Sequence, residues 1–280
     1  MRQGLQVENP GDVRGNPSHE LLAEKARLLA RHIGILVRIR GSAAEEIFQR
    51  TVVIIPALDE EEAIGEVLST LKSWPFAAIR VVDNGSRDAT GRIALIKGAQ
   101  VMAEPRRGYG AACWRGMQDL PAEIGWVLFC DADGSDDLRS LVPFFEAAAA
   151  GCDLVLGNRN ALPEGRRALT WVQRFGNAFA GRLIQLVWGT RFHDLGPLRL
   201  IRRSSLEAMR MEDRGFGWTV EMQAKAAAAR LRVIEIPVAY HPSRAGKSKI
   251  AGTFTGSIKA GTIILGTLAK LGVRRAPRHE

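Results

Sequence analysis

From Thr51 onward the chain alternates short apolar runs with longer stretches whose apolar residues recur every three or four positions. The short runs predict strands at 51–56 (TVVIIP), 79–83, 99–103, 125–130, 153–156 and 232–238. The longer stretches predict helices near 60–73, 89–97, 109–119, 138–149, 171–188, 218–230 and 254–271. Such alternation predicts an α/β fold, a doubly wound and mostly parallel sheet with helices on both faces. Ligands of these sheets sit at the carboxyl ends of the strands, so chemistry is expected in the polar residues just after each one. No internal repeat is visible.

The ends of the chain read differently. Residues 1–18 are polar and hold no apolar core of the kind a secretory signal needs. In residues 19–40, Leu22, Leu29, Ile33 and Leu36 share one helical face, with Lys25, Arg27, Arg31 and Arg38 on or beside the others. That helix can dock on the main domain or lie in a membrane interface. The most apolar C-terminal window, Ala260 to Ala269, is ten residues long between Lys259 and Lys270. A bilayer span needs about 20 apolar residues. The expected organisation is a leader with a basic amphipathic helix over 1–50, an α/β domain over 51–250, and an amphipathic helix with a basic tail over 251–280.

Composition adds one thing. With 280 residues, 46% of them hydrophobic and 25% charged, the chain is an ordinary globular one. Its net charge of +9 is unevenly placed: Arg159 to Arg203 holds nine arginines against Glu164 and Asp194, and Arg244 to Glu280 holds eight basic residues against Glu280 alone. Two such segments point to a phosphate-bearing partner or an anionic membrane surface, with a merely solvated basic face as the alternative. No recognisable nucleic-acid-binding motif accompanies the charge, so nucleic acid is not an expected partner. Cys113, Cys130 and Cys152 lack metal-ligand spacing and read as free thiols. The expected location is cytoplasmic, at the inner face of the cytoplasmic membrane.

The candidate chemistry follows the strands. The first ends in Pro56-Ala57-Leu58-Asp59-Glu60-Glu61-Glu62 and the second in Asp83-Asn84-Gly85-Ser86-Arg87-Asp88. Alone, the first reads as an acidic helix N-terminus and the second as an Asx-turn with a cap at Asp88. Asp131-Ala132-Asp133, directly after the apolar strand 125–130, says more. Carboxylates at i and i+2 after a buried strand share a cleft, repel each other and resist ionisation unless a cation sits between them. Their oxygens suit Mg²⁺ or Mn²⁺, which also bind substrate phosphates. No Gly-x-Gly-x-x-Gly follows the first strand, which argues against a dinucleotide-dependent dehydrogenase.

Taken in order, the PALDEEE and DNGSRD strand ends, Arg107-Gly108-Tyr109-Gly110-Ala111-Ala112 and the Asp131-Ala132-Asp133 strand end resemble the family-2 glycosyltransferases. Gly157-Asn158-Arg159, Gln173-Arg174-Phe175-Gly176-Asn177, Asp194-Leu195-Gly196-Pro197-Leu198-Arg199 and Arg244-Ala245-Gly246-Lys247-Ser248-Lys249 resemble the branch that transfers sugars to dolichyl or polyprenyl phosphates. The resemblance covers residues 51–260. It implies a GT-A-type domain moving a hexose, with inversion, from a nucleotide-diphosphate sugar of the GDP-mannose or UDP-glucose type to a polyprenyl phosphate. Pro56, Leu58, Glu60 and Asp83 would hold the nucleotide with Arg107 nearby, and Asp131 and Asp133 the bridging Mg²⁺ or Mn²⁺. Arg159, Arg174, Arg199, Arg244, Ser248 and Lys249 would form an anion site. A hydroxyl acceptor would instead need a general base, for which Asp194 is the candidate; Glu221 fits a helix cap or the site equally. A catalytically silent nucleotide-sugar-binding protein is the alternative of another class. Three positions depart from the family's usual residues: Ser135 stands where Gln is frequent, Leu58 where an aromatic is, and Gly196-Pro197-Leu198-Arg199 replaces Gly-Phe-Arg.

Overall fold

The computed structural model describes residues 39–242 and residue 266. The leader, most of the helix expected over 19–40, the helix expected over 254–271, and Arg244, Ser248 and Lys249 lie outside the described residues. The chain divides between Arg40 and Gly41, and the sheet and its helices belong to the unit that begins at Gly41.

Its strands are β1 (Thr51–Ala57), β2 (Ala78–Asp83), β3 (Gln100–Ala103), β4 (Trp126–Phe129), β5 (Leu154–Asn158), β6 (Arg199–Arg202) and β7 (Val233–Pro237). Its helices are α1 (Ala43–Gln49), α2 (Ile64–Leu71), α3 (Thr90–Ile96), α4 (Tyr109–Gly116), α5 (Val142–Ala149), α6 (Pro163–Ala168), α7 (Trp171–Trp188), α8 (Arg203–Met209) and α9 (Trp218–Ala228). The strands form one sheet in the order β3-β2-β1-β4-β6-β5-β7. Val52 to Ile55 of β1 are buried, as a strand with neighbours on both edges and helices on both faces requires.

The sheet is mixed. β6 runs antiparallel to both β4 and β5, with Arg199 opposite Phe129 on one side and Leu156 on the other. The other pairings are parallel, so six strands point one way and their carboxyl ends share one edge. The β6 sequence, Arg-Leu-Ile-Arg, has two apolar residues between arginines in a basic stretch and forms no apolar run, which hides it from pattern reading. α1, α6 and α8, each of six or seven residues, also go unread. α1 packs into the core through Phe48, whose ring stacks on Phe145 at 3.4 Å and Trp74 at 5.3 Å. Full burial of such a ring contributes roughly 1.5–3 kcal/mol.

α7 spans the expected 171–188 because both of its ends are marked. Thr170 Oγ1 accepts from Gln173 N–H in a capping box, and Gly189 ends the helix at φ 80°. The loop before α9 is clamped to α4: Glu212 N–H and Asp213 N–H donate to Glu221, and Gly110 N–H and Ala111 N–H donate to Gly215 and Arg214 carbonyls. Gly108, at φ 146°, and Gly110 allow this approach, since a Cβ at either would overlap the Arg214 or Asp213 carbonyl. Cys113 and Cys130 are buried free thiols, and Cys152 is half-buried.

Candidate active site

The carboxyl edge of the sheet gathers the acidic loops. After β1 the chain passes Asp59 in the left-handed region at φ 52°, and the loop is stitched to the one after β2. Asp59 N–H donates to Ser86 Oγ, Arg87 N–H to Asp59 Oδ1, and Glu60 N–H to Thr90 Oγ1. Asp83, the last residue of β2, accepts Ser86 N–H on Oδ1 at 2.7 Å. Its Oδ2 faces α3 across Gly91, where a Cβ would stand 2.8 Å away. Asn84 is buried and ties the loops together, donating to the Glu104 and Arg106 carbonyls and accepting Gly108 N–H. Arg107 reaches back to the Gly85 carbonyl at 3.1 Å. Pro56, Leu58, Glu60, Asp83 and Arg107 thus sit on one side of the edge, around the ends of β1 and β2.

The second group lies past β4. Asp131 N–H donates to Asp136 Oδ2 at 2.9 Å, which folds the segment into a turn and brings in a third carboxylate. Burial, reinforced by Asp136 and Asp133, pushes the Asp131 carboxyl well above the usual carboxylate range, while Arg159 pulls it down. Burial likewise lifts Asp136, to about 7, with the Asp131 N–H opposing and Asp133 adding to the rise. Asp133 Oδ1 accepts both the N–H and the hydroxyl of buried Ser135, at 3.0 and 2.6 Å. Ser135 therefore orients Asp133. Among the described residues no three His, Cys, Asp or Glu side chains take a metal-holding arrangement. A pair does suit a divalent cation that takes its remaining ligands from water and phosphate oxygens, and crowded carboxylates that resist ionisation are the setting such a cation relieves.

Facing them is Arg159, at the end of β5. Burial by itself lowers its pKa, but the Asp194 carboxylate more than reverses this. Arg159 Nε and Nη2 donate to Asp194 Oδ2 and Oδ1, each at 2.8 Å, and Arg159 N–H also donates to Oδ2. Asn177 Nδ2 and Leu195 N–H complete the shell on Oδ1, at 2.6 and 2.8 Å. The Arg159 guanidinium also lies over the Tyr240 ring, 4.8 Å from its centre. Tyr240 pairs with Asp136 as an isolated bridge, and burial raises its hydroxyl to about 12.

The remaining candidate residues divide between buried and exposed positions. Asp194 is 1% exposed with both oxygens filled by five donors, which suits an anchor and leaves no lone pair facing a substrate hydroxyl. Arg199 is expected in an anion site, but it is fully buried within β6 and donates to the Thr219 and Gly196 carbonyls. Glu221 spends both oxygens on the loop before α9, with Lys225 Nζ 2.7 Å away. Arg174 is exposed on α7, beside an open cleft lined by Asn160, Trp171, Phe175, Ala178 and His193. Two of the lining residues, Asn160 and His193, directly adjoin Arg159 and Asp194 in the chain. Asp136 and Tyr240 escape the sequence reading, and Asn84 and Asn177 stand inside its motifs with no role assigned to them. Asp136 and Tyr240 carry a usable signal, since both closely follow a strand at the carboxyl edge.

Fold and site together define a glycosyltransferase of the GT-A class. More narrowly, the chain belongs to glycosyl transferase family 2, whose sequence model matches residues 52–210. It is 38% identical over 208 residues to an uncharacterized glycosyltransferase of Mycobacterium tuberculosis, covering 74% of this chain and 93% of the relative. It is 28% identical over 221 residues to a polyprenol monophosphomannose synthase of Mycolicibacterium smegmatis, covering 73% and 82%. The fold matches glucosyl-3-phosphoglycerate synthase of M. tuberculosis, solved with Mn²⁺, uridine diphosphate and glucosyl-3-phosphoglycerate. There the TM-score is 0.63 at 21% identity, over 81% of this chain and 82% of that one.

Proposed function

We propose that this glycosyltransferase moves a hexose, with inversion, from a nucleotide-diphosphate sugar to a polyprenyl phosphate, using Mg²⁺ or Mn²⁺. The observation that carries the reading is the crowding of Asp131, Asp133 and Asp136 at one strand end, opposite Arg159. Asp131 and Asp133 would hold the divalent cation, which would supply Lewis-acid stabilisation of the charge on the departing nucleotide diphosphate. Asp83 accepts a hydrogen bond from the base, Pro56, Leu58 and Glu60 border the nucleotide, and Arg107 closes over it. Ser135 holds Asp133 in place, and Arg159, fixed by Asp194, presents positive charge to the phosphates.

The state of Asp194 favours a phosphate acceptor. A phosphate is already anionic at neutral pH and needs no base, whereas a hydroxyl does, and the natural candidate base is committed to Arg159 and Asn177. Arg174, Arg244, Ser248 and Lys249 complete the acceptor's anion site in this reading. The similarity to a relative named polyprenol monophosphomannose synthase supports the same acceptor class. A lipid-linked acceptor also calls for peripheral contact with a membrane, on its cytoplasmic side.

The test is a screen of GDP- and UDP-sugars with Mn²⁺ or Mg²⁺, with and without a polyprenyl phosphate. Donor turnover that depends on the polyprenyl phosphate and yields a sugar-phospholipid is expected. Transfer only to neutral hydroxyl compounds would overturn the acceptor.

A further inference from the structure

The outward face of α7 is built against the rule for a solvated helix. At 100° per residue, Trp171, Phe175, Phe179, Arg182 and Leu186 fall within about 80° of arc. Asn177, Ala180, Gly181 and Ile184, which are buried, occupy the opposite side. The outward apolar residues are among the most exposed of their kind: Trp171 75%, Phe175 68%, Phe179 41% and Leu186 82%. The Phe175 and Phe179 rings stack on each other at 6.1 Å, with Trp171 one turn before them, Leu186 two turns after, and Arg182 among them on the same face. Large apolar side chains exposed together on one face mark an interaction surface.

The surrounding charge selects the partner. From Pro163 to Arg191 there are five arginines, Arg166, Arg167, Arg174, Arg182 and Arg191, against Glu164 alone, and all five are exposed. An apolar ridge of Trp, Phe and Leu flanked by arginines matches an interfacial helix, whose rings enter the headgroup–acyl boundary while its cations meet anionic headgroups. α7 is about 27 Å long and lies along the surface; no described helix is long and apolar enough to cross a membrane. Its inner face carries Asn177, which holds Asp194 and through it Arg159. One helix thus has an exposed outer side and an inner side in the framework of the site.

We infer that the Trp171–Phe175–Phe179–Leu186 face of α7 docks on an anionic lipid bilayer. The inference rests on the membrane contact of the proposed function and names its surface, while docking itself needs no particular acceptor. The test uses the full chain and vesicles of phosphatidylcholine with phosphatidylglycerol, free of polyprenyl phosphate and sugar donor. The parent should co-sediment with these vesicles and much less with pure phosphatidylcholine. The triple variant Trp171→Ser, Phe175→Ser, Leu186→Ser should lose at least about tenfold in partition while melting with the parent, since all three side chains are exposed. Brominated lipid should quench fluorescence in the parent and quench less in Trp171→Phe, a single change that tests the same contact. Equal partition of parent and triple variant would overturn the inference, and so would absence of binding by both. A parent dimer that the triple variant turns into a monomer, without vesicles, would assign the ridge to self-association instead. Transfer to polyprenyl phosphate in detergent is scored separately, so the docking surface and the acceptor can fail independently.

Discussion

Replacing Asp194 with Asn distinguishes an anchor from a base. The carboxylate takes five donors: Arg159 N–H and Nε on Oδ2, and Arg159 Nη2, Asn177 Nδ2 and Leu195 N–H on Oδ1. Asparagine keeps one acceptor oxygen and turns an NH₂ toward donors that have no other use for it. It also removes the only charge compensating Arg159 in that pair, at a site where the carboxylate is 1% exposed. Breaking a buried, hydrogen-bonded ion pair by neutralising one partner costs about 3–5 kcal/mol. Against a total stability of about 5–15 kcal/mol this is large. For a domain of this size it corresponds to a fall in Tm of roughly 6–20 °C. Urea unfolding followed by circular dichroism should show a lower midpoint at unchanged slope. Arg159→Leu combined with Asp194→Leu should cost less than the sum of the single changes, because neither charge is then left alone. An Asp194→Asn protein that unfolds with the parent yet transfers no sugar would refute the anchor and restore Asp194 as a base.

Asp133→Asn should cut turnover by orders of magnitude with the fold intact, and a chelator should mimic it in the parent; full activity in chelator would remove the metal from the mechanism. Asp83→Ala should weaken nucleotide binding in calorimetry by about 1–3 kcal/mol, the cost of leaving a buried polar partner unmatched. Gly91→Ala, which drives a methyl toward Asp83 Oδ2, should weaken it in the same direction; unchanged affinity in both would move the base pocket elsewhere. Arg174→Ala should raise the acceptor KM and spare the donor KM, and high salt should hurt acceptor use more than donor use. The reverse pattern would give Arg174 to the donor.

What pattern reading reaches here is set by length and period. β1 is a continuous apolar run and α7 a long, periodic and well-capped helix, and they stand where the sequence places them. β6 does not announce itself, because its two apolar residues stand between arginines. With it goes the environment of Arg199, which looks like a free cation in a basic stretch and proves to be a core residue opposite Phe129 and Leu156. Asp131 and Asp133 are legible because they follow an apolar strand directly. Asp136 is in plain sight in the sequence, yet its part depends on the Asp131 N–H turning back to it. The charge of Asp194 is visible too, but nothing local shows that Arg159, 35 positions away, and Asn177, 17 away, fill its oxygens.

The reversed direction of β6 has a consequence for how such a molecule can diversify. β5 leaves the sheet at Asn158, and the chain returns at Arg199 on the same edge, in the opposite direction. Everything between, including α6 and α7, is an excursion whose neck is fastened by the Arg159–Asp194 pair. Insertions or wholesale rewriting inside such a fastened excursion leave the register of the sheet and the acidic loops after β1, β2 and β4 untouched, since lengthening a closed loop adds little entropy cost. Evolution can therefore exchange the excursion as a cassette, fitting new acceptors or surfaces to an unchanged donor half, provided the arginine and the aspartate at its neck are kept together.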